Sequence, residues 1–153
     1  MGNSLIFTSN SFATAVSFAT ASAATASGYQ PSSANTVYDI MGGTTSYDRR
    51  LYGISCTSTF GTIETVSVYL WDGISSKQMY QVSIPANAGN STTISAVDVF
   101  GNINGSAIFQ KQKDANGVPY YNLTAGWSIR ISYGTTLTGS AVLNFISTGE
   151  TYQ

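Results

Sequence analysis

In the stretch TIETVSVYLW, residues 62–71, Val66, Val68 and Leu70 fall on one face of an extended chain, and Thr65, Ser67 and Tyr69 on the other. Side chains of a strand point to opposite faces in turn, so this period of two marks a strand with one side buried. A second stretch, GWSIRISYG at 126–134, repeats the pattern, with Trp127, Ile129, Ile131 and Tyr133 on one side and Ser128, Arg130 and Ser132 on the other. Further runs rich in Val, Ile, Tyr and Thr read as strands at 37–40, 51–58, 79–84, 92–99, 107–110, 119–123 and 141–147. Turn chemistry separates them at Asp72-Gly73, at Ala88-Gly89-Asn90, at 102–105, at Asn116-Gly117 and at Gly134. The Asn116-Gly117 pair predicts a tight hairpin joining 107–110 to 119–123, because glycine accepts the positive φ such a turn requires. No stretch sustains a 3.6-residue period with capping signals, so no helix longer than two turns is expected. About eight short strands at a spacing of roughly 8 to 12 residues predict an all-β fold, an antiparallel β-sandwich of jelly-roll-like form spanning residues 36–153.

Composition shifts near residue 35. Residues 1–35 form an Ala/Ser/Thr-rich arm whose centre, SFATAVSFATASAATASG at 11–28, is a near-repeat of six residues with a degraded third copy. Phe12, Thr14, Val16, Phe18 and Thr20 occupy even positions; Ser11, Ala13, Ala15, Ser17, Ala19 and Ala21 occupy odd ones. An extended arm therefore has one bulky face and one small, flat face, whereas a helix would set Phe12 and Phe18 about 240° apart and split the pair. Ala favours the helix, but the alternation favours the strand. Fully extended, the repeat would span on the order of 60 Å, enough to reach a neighbouring subunit. The expectation is that the arm adds as a strand to an edge of another subunit or of a capsid, with Phe12, Val16, Phe18 and Tyr29 as interface residues. The competing expectation is a flexible leader without a partner.

Charged residues make up 8% of the chain, about a third of the roughly 25% usual in soluble proteins, and the net charge is -1. The basic residues Arg49, Arg50, Lys77, Lys111, Lys113 and Arg130 form neither stripe nor tract, so no nucleic-acid partner is expected. No window approaches the ~18 consecutive apolar residues of a membrane helix, and no membrane partner is expected either. The opening MGNSLIFTSNSF lacks the basic segment of a signal peptide. The sequons at Asn90, Asn104 and Asn122 read as chance occurrences in an Asn/Ser/Thr-rich chain.

Histidine is absent, which removes the commonest general base, the usual catalytic triads and most transition-metal sites. The acids Asp39, Asp48, Glu64, Asp72, Asp98, Asp114 and Glu150 fall mostly in turns and at strand ends. Their spacing suggests no paired-carboxylate site, so no enzyme, no catalytic residue and no cofactor is expected. Asp114 and Asn116 alternate as loop ligands for calcium do, but DANG lacks the further acids of such a loop; a hairpin turn accounts for it and no metal is expected. The single Cys56 lies in the alternating run LYGISCTS and reads as a small buried strand residue. Trp71 and Trp127 lie in alternating strands and read as core or interface aromatics before carbohydrate platforms.

VSIPANAGNSTTISAVDVF at 82–100, followed by DANGVPYYNLTAGWSIRISYG at 114–134, resembles a group of small β-sandwich virion proteins of tailed bacteriophages. In that group a strand ending in I-P-A-N-A/S-G leads to V-D-V/L, and a D-x-N-G turn precedes A-G-W/D-x-I/L. Here these are Ile84-Pro85-Ala86-Asn87-Ala88-Gly89, Val97-Asp98-Val99, the turn from Asp114 to Gly117, and Ala125-Gly126-Trp127-Ser128-Ile129. The resemblance covers about residues 50–148 and leaves the arm outside. It departs at the close, where the group's G-E-D-Y/F is Gly149-Glu150-Thr151-Tyr152. It implies a virion structural protein without catalytic residues: a capsid decoration or cement subunit on the capsid exterior, partnered by the major capsid protein and by itself as a homotrimer. The alternative is a head-fibre, tail or baseplate module that binds host surface glycans through exposed Tyr and Trp. A secreted or pilus-like subunit donating its arm is a third reading, disfavoured by the missing signal peptide.

Overall fold

Alternation in the sequence becomes alternation in burial along most of β4, β5 and β11. The computed structural model describes residues 9–19, 30–31, 36–41, 43, 45–100, 112–134 and 141–152. Within them lie β1 (Ser9–Ala19), β2 (Gln30–Pro31), β3 (Tyr38–Asp39), β4 (Arg49–Ser58), β5 (Glu64–Trp71), β6 (Ser76–Ile84), β7 (Val97–Asp98), β8 (Gln112–Lys113), β9 (Pro119–Leu123), β10 (Ser128–Tyr133) and β11 (Leu143–Tyr152), with no helix among the described residues. A seven-stranded sheet runs β2-β1-β11-β4-β9-β8, with β7 also pairing β4, and a four-stranded sheet runs β3-β10-β5-β6. All pairings are antiparallel except that of β1 with β2. The all-β sandwich read from the sequence is therefore the fold.

The inward faces of β5 and β10 are those the alternation predicts, while Ser128 and Ser132, on the other side of β10, are buried as well. Val66, Val68, Ile129 and Ile131 are fully buried and Tyr133 nearly so, in register across the pair as Val66 with Tyr133 and Val68 with Ile131. The larger sheet closes the core with Leu51, Ile54, Cys56, Leu123, Leu143 and Phe145, all essentially inaccessible. Inward-facing apolar side chains from both sheets merge into one cluster, the usual way a sandwich buries its two inner faces.

Within the arm, Ser9–Ala19 form a strand, as the alternation predicts, and it pairs with β11 of its own chain; residues 20–28 of the repeat lie outside the described residues. Phe12 faces Gly149, Thr14 faces Ser147, Val16 faces Phe145 and Phe18 faces Leu143. The bulky even positions point into the sandwich and the small odd positions point out. On the outer side Ser17 donates to Asn144 at 2.6 Å, and Asn144 donates to Thr57 at 3.2 Å, linking β1, β11 and β4. β1 thus lies inside the sheet architecture, whereas the sequence boundary at residue 35 set it apart as an arm. The sheet selects it because β11 presents an edge with matching inward apolar positions in the same molecule, where no second chain has to be recruited.

β4 carries a bulge that its sequence does not announce. Thr148 pairs with Gly53 and Gly149 with Leu51, so Tyr52 is left without a register partner. One extra residue shifts the phase: Arg49 and Leu51 are buried before the bulge, and Ile54, Cys56 and Ser58 after it. Gly149 sits opposite, where an added Cβ would collide with the Arg50 carbonyl oxygen and lie 2.7 Å from the Phe12 ring. Glycine is required at this position by close approach alone, its φ being ordinary.

Two local expectations are corrected. The strand expected at 92–99 is only β7, because 85–90 coil into turns in which Asn87 and Gly89 take positive φ of 54° and 68°. Their backbone groups are satisfied outside any ladder: Asn87 N–H donates to Phe60 O at 2.8 Å, Gly89 N–H to Ile94 O at 2.8 Å, and Ser58 N–H to Ala88 O at 2.8 Å. At 112–123 the hairpin forms between β8 and β9; the strand expected at 107–110 lies outside the described residues. In its turn only Gly117 has positive φ, 81°, and Asp114 does the rest. Asp114 Oδ1 accepts from Asn116 N at 2.9 Å and from Val118 N at 2.8 Å, while the Asp114 carbonyl accepts from Gly117 N at 3.0 Å. The carboxylate that the sequence offered as a calcium ligand is the capping group of a hairpin.

Candidate functional site

The expected interface residues are placed by β1. Phe18 is completely buried, its ring centroid 5.0 Å from that of Tyr38, 5.9 Å from Phe145 and 6.1 Å from Tyr133. Val16 is 8% exposed, and Phe12 is partly buried against the core over Gly149. These three side chains anchor the strand to its own domain. Tyr29 lies outside the described residues. What β1 presents outward is Ser11, Ala13, Ala15 and Ser17, flanked on β11 by Asn144, Ile146 and Thr148 and on β4 by Ser55 and Thr57. The side chains that β1, β11 and β4 contribute here are uncharged, and Asp98 of β7, opposite Ser55, is exposed at the margin. Ile146 is 42% exposed within this face, beside a shallow groove of about 240 Å³ lined by Gly53, Ile54, Ser55, Asp98, Ile146 and Thr148.

At the other end of the same outer face the chemistry changes. On β4 and its approach, Asp48, Arg50 and Tyr52 alternate outward; on β9, Tyr120 and Asn122; on β11, Glu150 and Tyr152. The register sets Arg50 directly between Glu150 and Asn122. Its guanidinium carbon lies over two aromatic rings, 4.6 Å from the Tyr120 ring centroid and 4.4 Å from that of Tyr152. Stacking of this kind immobilises an arginine while leaving its edge donors free. Tyr152 OH donates to Glu150 Oε2 at 2.6 Å; burial and this bond together push the Tyr152 phenol up to about 12. Tyr52 meets Tyr120 edge to face at 6.2 Å and donates to Asp114 Oδ2 at 3.4 Å. Burial, with the nearby Glu150 and Asp114 carboxylates, raises its pKa too. Asp48 is fixed twice, its side chain accepting from Ala125 N at 2.8 Å and its carbonyl accepting from Tyr152 N at 2.9 Å. Between Asp48, Arg50, Asn122 and Tyr152 lies a cleft of about 290 Å³.

The remaining polar groups hold loops. Buried Arg49 donates to Gly43 O at 3.2 Å and to Trp127 O at 2.6 Å, tying Gly43 to the turn before β10. Burial lowers its pKa, opposed by the Asp39 charge. Asp39 accepts from Met41 N at 2.8 Å, from Gly43 N at 2.9 Å and from the Ser128 hydroxyl, and lies 4.0 Å from Arg130 Nε. Arg130 in turn stacks on Trp71 at 3.8 Å, covering one face of that ring. Cys56 is fully buried and burial pushes its thiol up to about 12, so it is held as an inert thiol. Among the described residues no three His, Cys, Asp or Glu converge as a metal site would require. No helix of the described residues is long and apolar enough to cross a membrane.

Compared with known proteins, the chain matches no family model, no curated protein and no solved structure. Sequence reasoning passed over the Arg50 cleft, although each strand carries its signal. Asp48-x-Arg50-x-Tyr52, Tyr120-x-Asn122 and Glu150-x-Tyr152 alternate as strand faces do, and only the register shows that the three faces are one.

Proposed function

We propose that the protein is a structural subunit of a bacteriophage virion, a decoration or cement protein on the capsid exterior that works by binding and not by catalysis. The observation that carries the reading is the outward patch of Ser11, Ala13, Ala15, Ser17, Asn144, Ile146, Thr148, Ser55 and Thr57, all uncharged, with Ile146 exposed beside a groove that Asp98 borders. Surface free of Lys and Glu at its centre is what a buried protein contact needs. Contacts of roughly 1,600 Å² are standard for stable association, and many copies around a shell add up even when each binds modestly. The resemblance of 82–100 and 114–134 to tailed-phage virion proteins and the low charge of the chain support the same reading. Its partners are the major capsid protein and further copies of itself, as a homotrimer. The test is to purify particles that contain the protein and particles that lack it. Fragile heads with intact tails in its absence support the cement role; intact heads with missing appendages refute it. Ala15→Arg and Ile146→Arg, placed on the proposed contact face, abolish retention on particles while leaving the melting temperature of the isolated chain unchanged.

A second reading has its own observation. The tyrosine-clamped Arg50 and its cleft favour a recognition module of a head fibre, tail or baseplate that binds host surface glycans.

A further inference from the structure

The Arg50 cleft has the ingredients of a ligand site, with polar atoms that its structural contacts leave unused among the described residues. Arg49, its neighbour, is buried and bonded to two carbonyls. Among the described residues the Arg50 guanidinium makes no hydrogen bond, although its carbon lies over the Tyr120 and Tyr152 rings. The Asn122 amide and the second Asp48 carboxylate oxygen likewise have no hydrogen-bond partner among the described residues, and both line the same cleft. Donors and acceptors that line one space of about 290 Å³, with Asp48 held by Ala125 N and Arg50 stacked on two rings, form a polar site at the small end of ligand pockets.

The polar set selects the ligand's chemistry. Arg50 supplies donors, Asp48 an acceptor and Asn122 one of each, and the Tyr152 ring forms a wall. Each hydroxyl of a sugar both donates and accepts, so adjacent hydroxyls match a guanidinium beside a carboxylate, while the C–H face of a pyranose packs on an aromatic ring. Charge argues against an anionic ligand: Asp48 lines the cleft and Glu150 faces Arg50 across β11, so two carboxylates surround one cation. We propose that the cleft formed by Asp48, Arg50, Asn122 and Tyr152 binds one neutral pyranose unit of a glycan. This rests on the glycan-recognition reading above and gives it a site and a sugar class.

The test uses the full chain, labelled with ¹⁵N and titrated with methyl hexosides and N-acetylhexosaminides as neutral probes and with a methyl glucuronide and a methyl sialoside as acidic ones. Amide shifts are followed by NMR, and the chain is applied in parallel to a glycan array. A neutral probe is expected to shift the amides of Asp48, Arg50, Asn122 and Tyr152. Asp48→Asn, which keeps the oxygen that accepts from Ala125 N, and Asn122→Ala are each expected to weaken that binding about tenfold or more without moving the melting temperature. Trp71→Ala, on the opposite sheet, leaves it unchanged. Binding that is lost with Trp71→Ala and kept with Asp48→Asn overturns the site and leaves glycan recognition standing. Binding confined to the acidic probes overturns the sugar class. The absence of shifts with every probe, together with a blank array, overturns both the site and the recognition reading.

Discussion

Phe18→Ala tests whether β1 belongs to this domain's core. The ring is fully buried among Tyr38, Tyr133 and Phe145, with centroid separations of 5.0, 6.1 and 5.9 Å. Burying an aromatic side chain removes about 150–250 Å² from water, worth roughly 4–6 kcal/mol at 25 cal/mol per Å² as an upper bound. Truncations of buried Phe to Ala measure about 3–5 kcal/mol, the cavity term included. Against a domain stability of about 5–15 kcal/mol this is a large fraction. With a urea m-value near 2 kcal/mol/M, the midpoint falls by about 2 M. The assay is equilibrium urea unfolding of the isolated chain at two protein concentrations a hundredfold apart. Ala13→Ser on the outward face of the same strand serves as a control and is expected to change little. A midpoint shift below about 0.5 M refutes the placement of Phe18 in the core. A wild-type midpoint that rises with concentration reports self-association of the chain; a rise that Phe18→Ala abolishes refutes pairing within the chain and restores the expectation that β1 completes a neighbour.

Gly149→Ala is expected to destabilise the chain by about 1–3 kcal/mol, since its Cβ collides with the Arg50 carbonyl and the Phe12 ring, whereas Gly53→Ala, with open space around its Cβ, is tolerated; thermal melts of the two variants compare them directly. Arg49→Met leaves the Gly43 and Trp127 carbonyls without their donor and is expected to cost about 1–3 kcal/mol, with faster amide exchange at Gly43 and Trp127. Stability is expected to fall at alkaline pH: burial lifts the Cys56 thiol from 9.0 to about 12 and raises the Tyr80 and Tyr133 phenols above 10.0. The folded chain then keeps protons that the unfolded chain releases, so stability is full below pH 9 and declines as pH climbs towards 12. Urea midpoints from pH 7 to 11 follow this decline, and Cys56→Ala is expected to flatten its first part, between pH 9 and 10, where the unfolded tyrosines are still protonated.

Fold class was legible because the alternation of TIETVSVYLW and GWSIRISYG is a local property that any packing of their apolar faces must respect. The same held for the strand in the arm, where bulky and small residues alternate too regularly for a helix to gather the Phe pair on one face. The hairpin at DANG was legible in place but not in form: the Asp114 carboxylate, and not a second positive φ, closes the turn. The strand expected at 92–99 was misread, since apolar alternation there competes with the turn chemistry of 85–90, and the turns win by satisfying backbone groups against Phe60 and Ile94.

Which edge β1 meets is another matter. An apolar, uncharged strand states that it will pair; it does not state with whom, because backbone hydrogen bonds are the same for every edge and only matched register and proximity choose among them. The Arg50 cleft is of the same kind. Its residues alternate correctly on three strands distant in sequence, and a bulge at Tyr52 and the register with β9 and β11 bring them to one face. The amino-acid sequence by itself determined where the chain is extended and which side of each strand is apolar, since those depend on neighbours two residues apart. The tertiary structure alone decided which strands lie side by side, and with that both the home of the SFATAV repeat and the existence of a cleft, since those depend on contacts between residues a hundred positions apart.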